Sequence, residues 1–289
     1  MCAAVFLVLC LTAGGDLPAP VEPHAGEGAP ADDEETVEMP PPIPLGQKWK
    51  NGANHFWKDL VYLGTFPTRP TKRGGIRTGA FTGATLILIG VDDDVREWVL
   101  EHRNETTREW AERFDVLGDP ETVYVSALAT WGFGKLLHAE RATETGRAML
   151  ETLVFSEMFG MTAKGLFTRV GPGGGNATDF FSGDGTSFPS GHTWRVFAVA
   201  TVLAERHGKV AAWIAYPVAS LAGLARIEQD IHWASDVLAG AALGHVIGKA
   251  VVRRRDERAG RAPKLTFAPM IDGRTETYGV MFKVSLGRS

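Results

Sequence analysis

Cysteine is nearly missing from this chain. The two present, Cys2 and Cys10, fall within the first ten of 289 residues. Disulfide scaffolds, Cys-ligated zinc and thiol catalysis are therefore excluded for everything that follows them. A strong basic surplus is missing too. The net charge is −4, and the acids are concentrated. Residues 16–47 hold Asp16, Glu22, Glu27, Asp32, Asp33, Glu34, Glu35 and Glu38, with no Lys or Arg. The remainder then carries 30 basic residues against 26 acidic ones, too even a balance for a nucleic-acid binder but compatible with local attraction of anions. Mean hydropathy is −0.05, which argues against a chain made mostly of membrane spans. The uncharged runs Gly79–Val91 and Val210–Ala225 have 13 and 16 residues, short of the roughly 20 that a spanning helix needs. The second contains Pro217 and reads as a buried core helix.

Composition divides the chain into four parts. Residues 1–15, MCAAVFLVLCLTAGG, form an apolar run ending in small residues, similar to the core of a secretory signal or a short anchor. Residues 16–47 contain eight of the sixteen prolines and almost no large apolar side chains. Such a stretch cannot offset its ordering entropy by burial and reads as a linker. Residues 48–256 have globular composition. Helical spacing recurs over Asp94–Phe114, Val123–Glu140, Ala148–Phe167 (interrupted at Gly160), Gly191–His207, Val210–Arg226 and His232–Val252. Small residues in Val237–Gly248 allow helices to approach closely. In the tail, residues 257–289, Tyr278, Val280, Phe282, Val284 and Leu286 alternate with Gly279, Met281, Lys283 and Ser285, the period of a strand. Leu265 and Phe267 alternate likewise, and Asp272-Gly273 is a turn signal. The expected fold is all-α: a bundle of about six core helices with a small C-terminal β-hairpin.

Three clusters carry the chemistry. The first, Lys164-Gly-Leu-Phe-Thr-Arg169-Val-Gly171-Pro172, places two cations before a glycine-rich loop. Alone it reads as a basic helix end. The second, Pro189-Ser190-Gly191-His192, opens a helix; free amides and a hydroxyl there suit an anion, and His192 in the first turn can donate a proton. An ordinary cap is the competing reading. The third, Arg226 through Asp236, sets His232 and Asp236 four apart on one expected helical face. A carboxylate on one imidazole nitrogen leaves the other free as base, ligand or nucleophile, and Arg226 offers a planar fork of donors. A solvated i,i+4 pair is the plain alternative. Together the clusters supply cations, a steered imidazole, a proton donor and a helix N-terminus, which is what phosphoryl transfer requires. Clustered carboxylates are scarce in these motifs, which argues against a Mg or Ca site.

The three clusters resemble the signature of the type 2 phosphatidic acid phosphatase and vanadium haloperoxidase superfamily: Lys-x6-Arg-Pro, Pro-Ser-Gly-His and Ser-Arg-x5-His-x3-Asp, in that order. The second motif matches in full. The third matches at Arg226, His232 and Asp236, with Ala225 in the serine position. The first matches at Lys164 and Pro172, but Gly171 stands where the family has arginine. The resemblance covers about Gly79–Val252. It implies His232 as nucleophile through a phosphohistidine, Asp236 as its orienting carboxylate, and His192 as general acid. It also implies that Lys164, Arg226 and the Ser190 and Gly191 amides grip the phosphoryl oxygens. Arg169, two residues before Gly171, is the expected substitute for the missing arginine. The implied activity is metal-independent hydrolysis of a phosphomonoester, on a lipid phosphate, diphosphate or other phosphorylated small molecule. No cofactor is expected, although vanadate could bind as a phosphate mimic; no nucleic-acid partner is expected either. The expected location is exported, periplasmic or associated with a membrane surface, facing away from the cytoplasm. A vanadate-dependent haloperoxidase and a degenerate, non-catalytic envelope or binding protein are the alternatives.

Overall fold

The computed structural model describes residues 45–65, 72–261, 264–272 and 277–285. The expected leader at 1–15 and the linker up to residue 44 lie outside them. Eight α-helices are described: α1 (Leu45–Thr65), α2 (Lys72–Ile89), α3 (Asp92–His102), α4 (Glu105–Asp115), α5 (Pro120–Leu136), α6 (Glu140–Phe167), α7 (Gly191–Glu228) and α8 (Ala234–Arg258). Thus α1 begins inside the stretch expected to be linker. At the C-terminus, β1 (Lys264–Asp272) pairs antiparallel with β2 (Thr277–Ser285), Phe267 opposite Phe282. The residues between the two strands are outside the described set.

Several boundaries differ from expectation for identifiable reasons. The single helix expected over 94–114 is two, because Asn104 turns extended and caps α4 in a reciprocal box with Thr107. Helix α6 starts earlier, at Glu140, and runs through Gly160 without a break. Glycine is there for contact: a Cβ would come within 2.5 Å of the Trp194 ring. The two helices expected over 191–226 are present as the two arms of α7, which turns at Gly208 (φ 79°, ψ −161°), a conformation that glycine tolerates without strain. The two arms return beside each other, since a Cβ on Gly223 would touch Val237 and Thr193.

The core lies among α5, α6, both arms of α7, and α8. Met149, Leu153, Val202, Leu203 and Val252 are buried in one cluster, each such side chain contributing about 1.5–3 kcal/mol. Helix α8 crosses the first arm of α7 on a glycine stripe. Cβ atoms at Gly240, Gly244 and Gly248 would sit 2.6 Å from Ser190 O, 2.2 Å from Trp194 O and 2.9 Å from Thr201 Cβ. This packing brings the start of α7 against the start of α8, and so brings the second and third motifs together. The second arm of α7 corrects the buried-core expectation. Ala211, Ala215, Ala219 and Ala222 are buried, but Val210, Trp213, Ile214 and Leu224 on its other face are exposed, Trp213 by 80%.

Candidate active site

All three motifs end at one pole of the bundle: the C-terminus of α6, the N-terminus of α7's first arm, the C-terminus of its second arm, and the N-terminus of α8. His232 is not on a helix, contrary to the expected His232–Val252 helix. It sits in the short loop before α8, whose N-cap is Trp233. The loop is fixed at both ends. Ile231 N and His232 N donate to Arg226 O at 3.1 and 3.2 Å. Asp236, in the first turn of α8, accepts from Trp233 N at 3.1 Å. Asp230 adopts φ 60°, a left-handed geometry that costs most residues about 1–2 kcal/mol and that Asp tolerates. Arg96 of α3 grips its carboxylate at 2.7 and 2.8 Å.

The His232–Asp236 pair is therefore built by a capped loop rather than by i,i+4 helical geometry. Nδ1 of His232 lies 3.6 Å from Asp236 Oδ2, beyond a direct hydrogen bond. Ser187 closes the gap: its hydroxyl donates to Asp236 Oδ2 at 2.5 Å and lies 3.2 Å from His232 Nδ1. That contact assigns the Nδ1 proton to the Ser187 side and leaves Nε2 with its lone pair. Burial pushes the His232 pKa below its ordinary 6.5, with Asp236 opposing the shift. The imidazole is thus neutral at neutral pH, the form a nucleophile needs.

Arg169 corrects the sequence expectation. Its guanidinium does not stand among phosphate donors; it is fully buried behind Asp236. Nη1 donates to Asp236 Oδ1 at 2.5 Å and Ser235 Oγ at 2.7 Å. Nη2 donates to Asp92 Oδ2 at 2.8 Å, and Nε to Ala177 O at 3.0 Å. Every nitrogen is committed, and Phe180 and Trp233 cover the group at 4.5 and 5.4 Å from their ring centroids. Asp92, at the start of α3, also accepts from Ser235 N at 3.0 Å. Two buried carboxylates thus share one buried guanidinium, which offsets the desolvation of all three.

Lys164 and Arg226 do reach the pole. Lys164 Nζ donates to Thr186 O and lies 5.5 Å from the centroid of the Trp194 ring. Burial lowers its pKa from 10.5 to about 8. Arg226 Nη1 donates to Asp115 and, at 3.0 Å, to Gln229 Oε1, while its buried Nε has no partner among the described residues. His192 is held at Nε2 by Asp119 Oδ1, 3.0 Å away. Arg226 acts electrostatically on both His192 and His232. The Ser190 amide is a second correction. It donates to Asp236 O at 3.0 Å, and the Ser190 hydroxyl accepts from Thr193 at 3.0 Å. Ser190 thus ties α7 to α8, and the unspent amides of the first turn begin at Gly191.

Sequence reasoning missed Ser187, Asp92, Asp115 and Asp119. Ser187 sits two residues before the second motif in an irregular loop, where no periodicity marks it. The three acids lie 45 or more residues upstream, in helices with ordinary surface-like charge spacing. Asp115, Asp119 and His192 place ligand-type atoms within 4.8 Å of one another. In this structure Asp115 is paired with Arg226 and Asp119 with His192.

Part of this chain is similar to known proteins. Residues 146–259 match the family described as the PAP2 superfamily. Over 193 residues, 65% of this chain, the sequence is 30% identical to a lipid A 1-phosphatase of Porphyromonas gingivalis. The chain spans only 40% of that relative's length. Among solved structures, the fold is similar to a transmembrane PAP2-type phosphatidylglycerolphosphate phosphatase from Bacillus subtilis, at TM-score 0.51 and 23% identity, covering 63% of this chain and 96% of that one. LpxE of Aquifex aeolicus gives a TM-score of 0.47 at 22% identity, covering 55% and 93%. The matched segment contains Lys164, His192, Arg226, His232 and Asp236 in the order of the signature motifs, and this part of the helical body is similar to the PAP2 superfamily.

Proposed function

We propose that the protein is a membrane-associated lipid phosphate phosphatase that works through a phosphohistidine. The observation that carries this reading is the Ser187–Asp236–Arg169–Asp92 network behind His232. It steers Nδ1 inward and leaves Nε2 free, on a ring that Lys164 and Arg226 influence electrostatically. In the reaction, His232 Nε2 attacks phosphorus and the bond from phosphorus to the lipid oxygen breaks. His192, steered by Asp119, gives the leaving oxygen its proton. Water then attacks the phosphohistidine, His192 takes up a proton, and the P–N bond breaks to release inorganic phosphate. Lys164, Arg226 and the amides opening α7 stabilise charge on the three equatorial oxygens. With these cations in place the chemistry needs no metal ion.

A lipid substrate is favoured by the exposed apolar surface and by the lipid A 1-phosphatase relative. Ile76 and Ile87 on α2, Leu136 on α5, and Val210 and Trp213 on α7 are each at least 70% exposed, which fits contact with a membrane. Helices α7 and α8 are long and apolar enough to cross a bilayer by length and composition. The second arm of α7 covers about 30 Å, the thickness of the hydrocarbon layer. Arg141, Arg206, Lys209, Arg253, Arg254 and Arg255 gather at the pole opposite His232. Basic residues tend to stay on the cytoplasmic side, which favours a site on the outer, periplasmic face.

The test is phosphate release from lipid phosphomonoesters in detergent micelles, with and without chelator, for the wild type and His232→Ala. The expected result is chelator-insensitive release that His232→Ala reduces at least about 10³-fold. Equal release by both proteins would contradict the reading.

A further inference from the structure

Gly171 leaves the site one guanidinium short of the family pattern, and Arg169 does not supply it. A side chain at 171 would start 3.2 Å from Ile231 O and 3.5 Å from Ser187 Oγ, beside the His232 loop. Glycine places nothing there. A different arginine stands at the same pole. Arg195 is one turn into α7, four residues after Gly191, so its side chain lies over the first turn. Its Nη1 and Nη2 lie 3.4 and 3.7 Å from the position a Cβ would take on Gly191. Trp194, fully buried, is shared by two cations: Lys164 Nζ is 5.5 Å from its ring centroid and Arg195 Cζ 5.6 Å.

The anchoring of Arg195 is one-sided. Glu157 of α6 takes Nε, and takes Nη2 at 3.3 Å. The same carboxylate accepts from Trp194 Nε1 at 3.3 Å. Nη1 has no hydrogen-bond partner among the described residues and is not sealed from solvent, since the side chain keeps 13% exposure. A guanidinium held by a carboxylate on one edge, with the remaining nitrogen beside a helix N-terminus, is a fixed donor for an anionic oxygen. Glu157 restricts the rotamers, so little further entropy is lost when the anion arrives.

We propose that Arg195 is a phosphate-binding residue of this site, standing in for the arginine absent at Gly171, with Glu157 as its positioning residue. Resting on the phosphatase reading above, this assignment names the fourth charged or amide contact to the phosphoryl group, next to Lys164, Arg226 and the Gly191 amide. Because Arg195 grips from the α7 side rather than from the 171 loop, the oxygen it binds is the one facing Gly191.

The test uses the full-length protein in detergent and two readouts: orthovanadate binding by titration calorimetry, and kcat/KM for phosphate release. For Arg195→Ala, vanadate affinity is expected to fall about tenfold or more, and kcat/KM about 10²–10³-fold. Arg195→Lys keeps a cation near Trp194 and Glu157 but loses the fork. It is expected to fall between wild type and alanine, and it serves in place of alanine should that variant fail to fold. Vanadate affinity and kcat/KM within twofold of wild type in either folded variant would overturn the assignment. Wild type that binds vanadate but releases no phosphate would sink the phosphatase reading and leave the Arg195 assignment to stand on binding alone.

Discussion

At the scale of single residues, the proposed nucleophile His232 is held by a serine that no motif contains. Ser187 bridges 3.2 Å to His232 and 2.5 Å to Asp236, so Ser187→Ala leaves Nδ1 facing a carboxylate 3.6 Å away. Turnover is expected to fall about 10–100-fold, the usual scale for an outer hydrogen-bond partner, with little change in KM; steady-state kinetics on a lipid phosphate checks this. In the proposed mechanism the pH profile follows from three groups. His232 must be neutral to attack, and burial lowers its pKa, so the acid limb falls below 6.5. His192 must carry the proton it donates, and burial lowers its pKa from 6.5 too, so the first decline on the alkaline side belongs to it. Lys164 must be charged to hold phosphate, and its pKa is about 8, so activity falls further as pH rises through that value. Lys164→Arg, which stays protonated, is expected to move this second limb upward. An unmoved limb would assign it to another group.

At the scale of elements, Arg169 ties α3 to α8 through Asp92 and Asp236. Arg169→Ala leaves two buried carboxylates without their cation and is expected to destabilise the fold by about 3–5 kcal/mol, read from denaturant unfolding in detergent. Near-normal stability would mean that the pair relaxes into water. Close helix contact is equally specific. A methyl group on Gly244 would fall 2.2 Å from Trp194 O, so Gly244→Ala is expected to cost about 1–3 kcal/mol and to loosen the approach of α8 to Ser190. These elements show how far the sequence can be read. Helix periodicity located most of the bundle, and the order Lys164, His192, His232, Asp236 located the pole. The helical setting assigned to His232 was wrong because a capped loop and an i,i+4 helix pair have the same spacing. The role expected of Arg169 was wrong because a guanidinium two residues from Gly171 can point either way along an irregular loop. Only the burial of Asp92 and Asp236 decides which. Asp115 and Asp119 were unreadable because α4 and α5 reach the site through packing alone.

At the scale of the whole molecule, the charged and apolar surfaces divide along the bundle axis. One pole holds the imidazoles. The other holds arginines paired with acids, such as Arg255 with Glu144 and Glu151, and Arg258 with Asp59. Exposed apolar side chains such as Trp213 and Leu136 lie on the outside of the helices. Extraction is therefore expected to need detergent. Release by alkaline carbonate alone would contradict embedding in a bilayer.

Rapid quenching of the wild type during turnover of a lipid carrying radioactive phosphate, followed by peptide mapping, interrogates the nucleophile itself. Acid-labile, alkali-stable label on the peptide containing His232, absent from His232→Ala, is the predicted result. Wild type that turns over substrate while that peptide stays unlabelled would contradict a covalent role for His232.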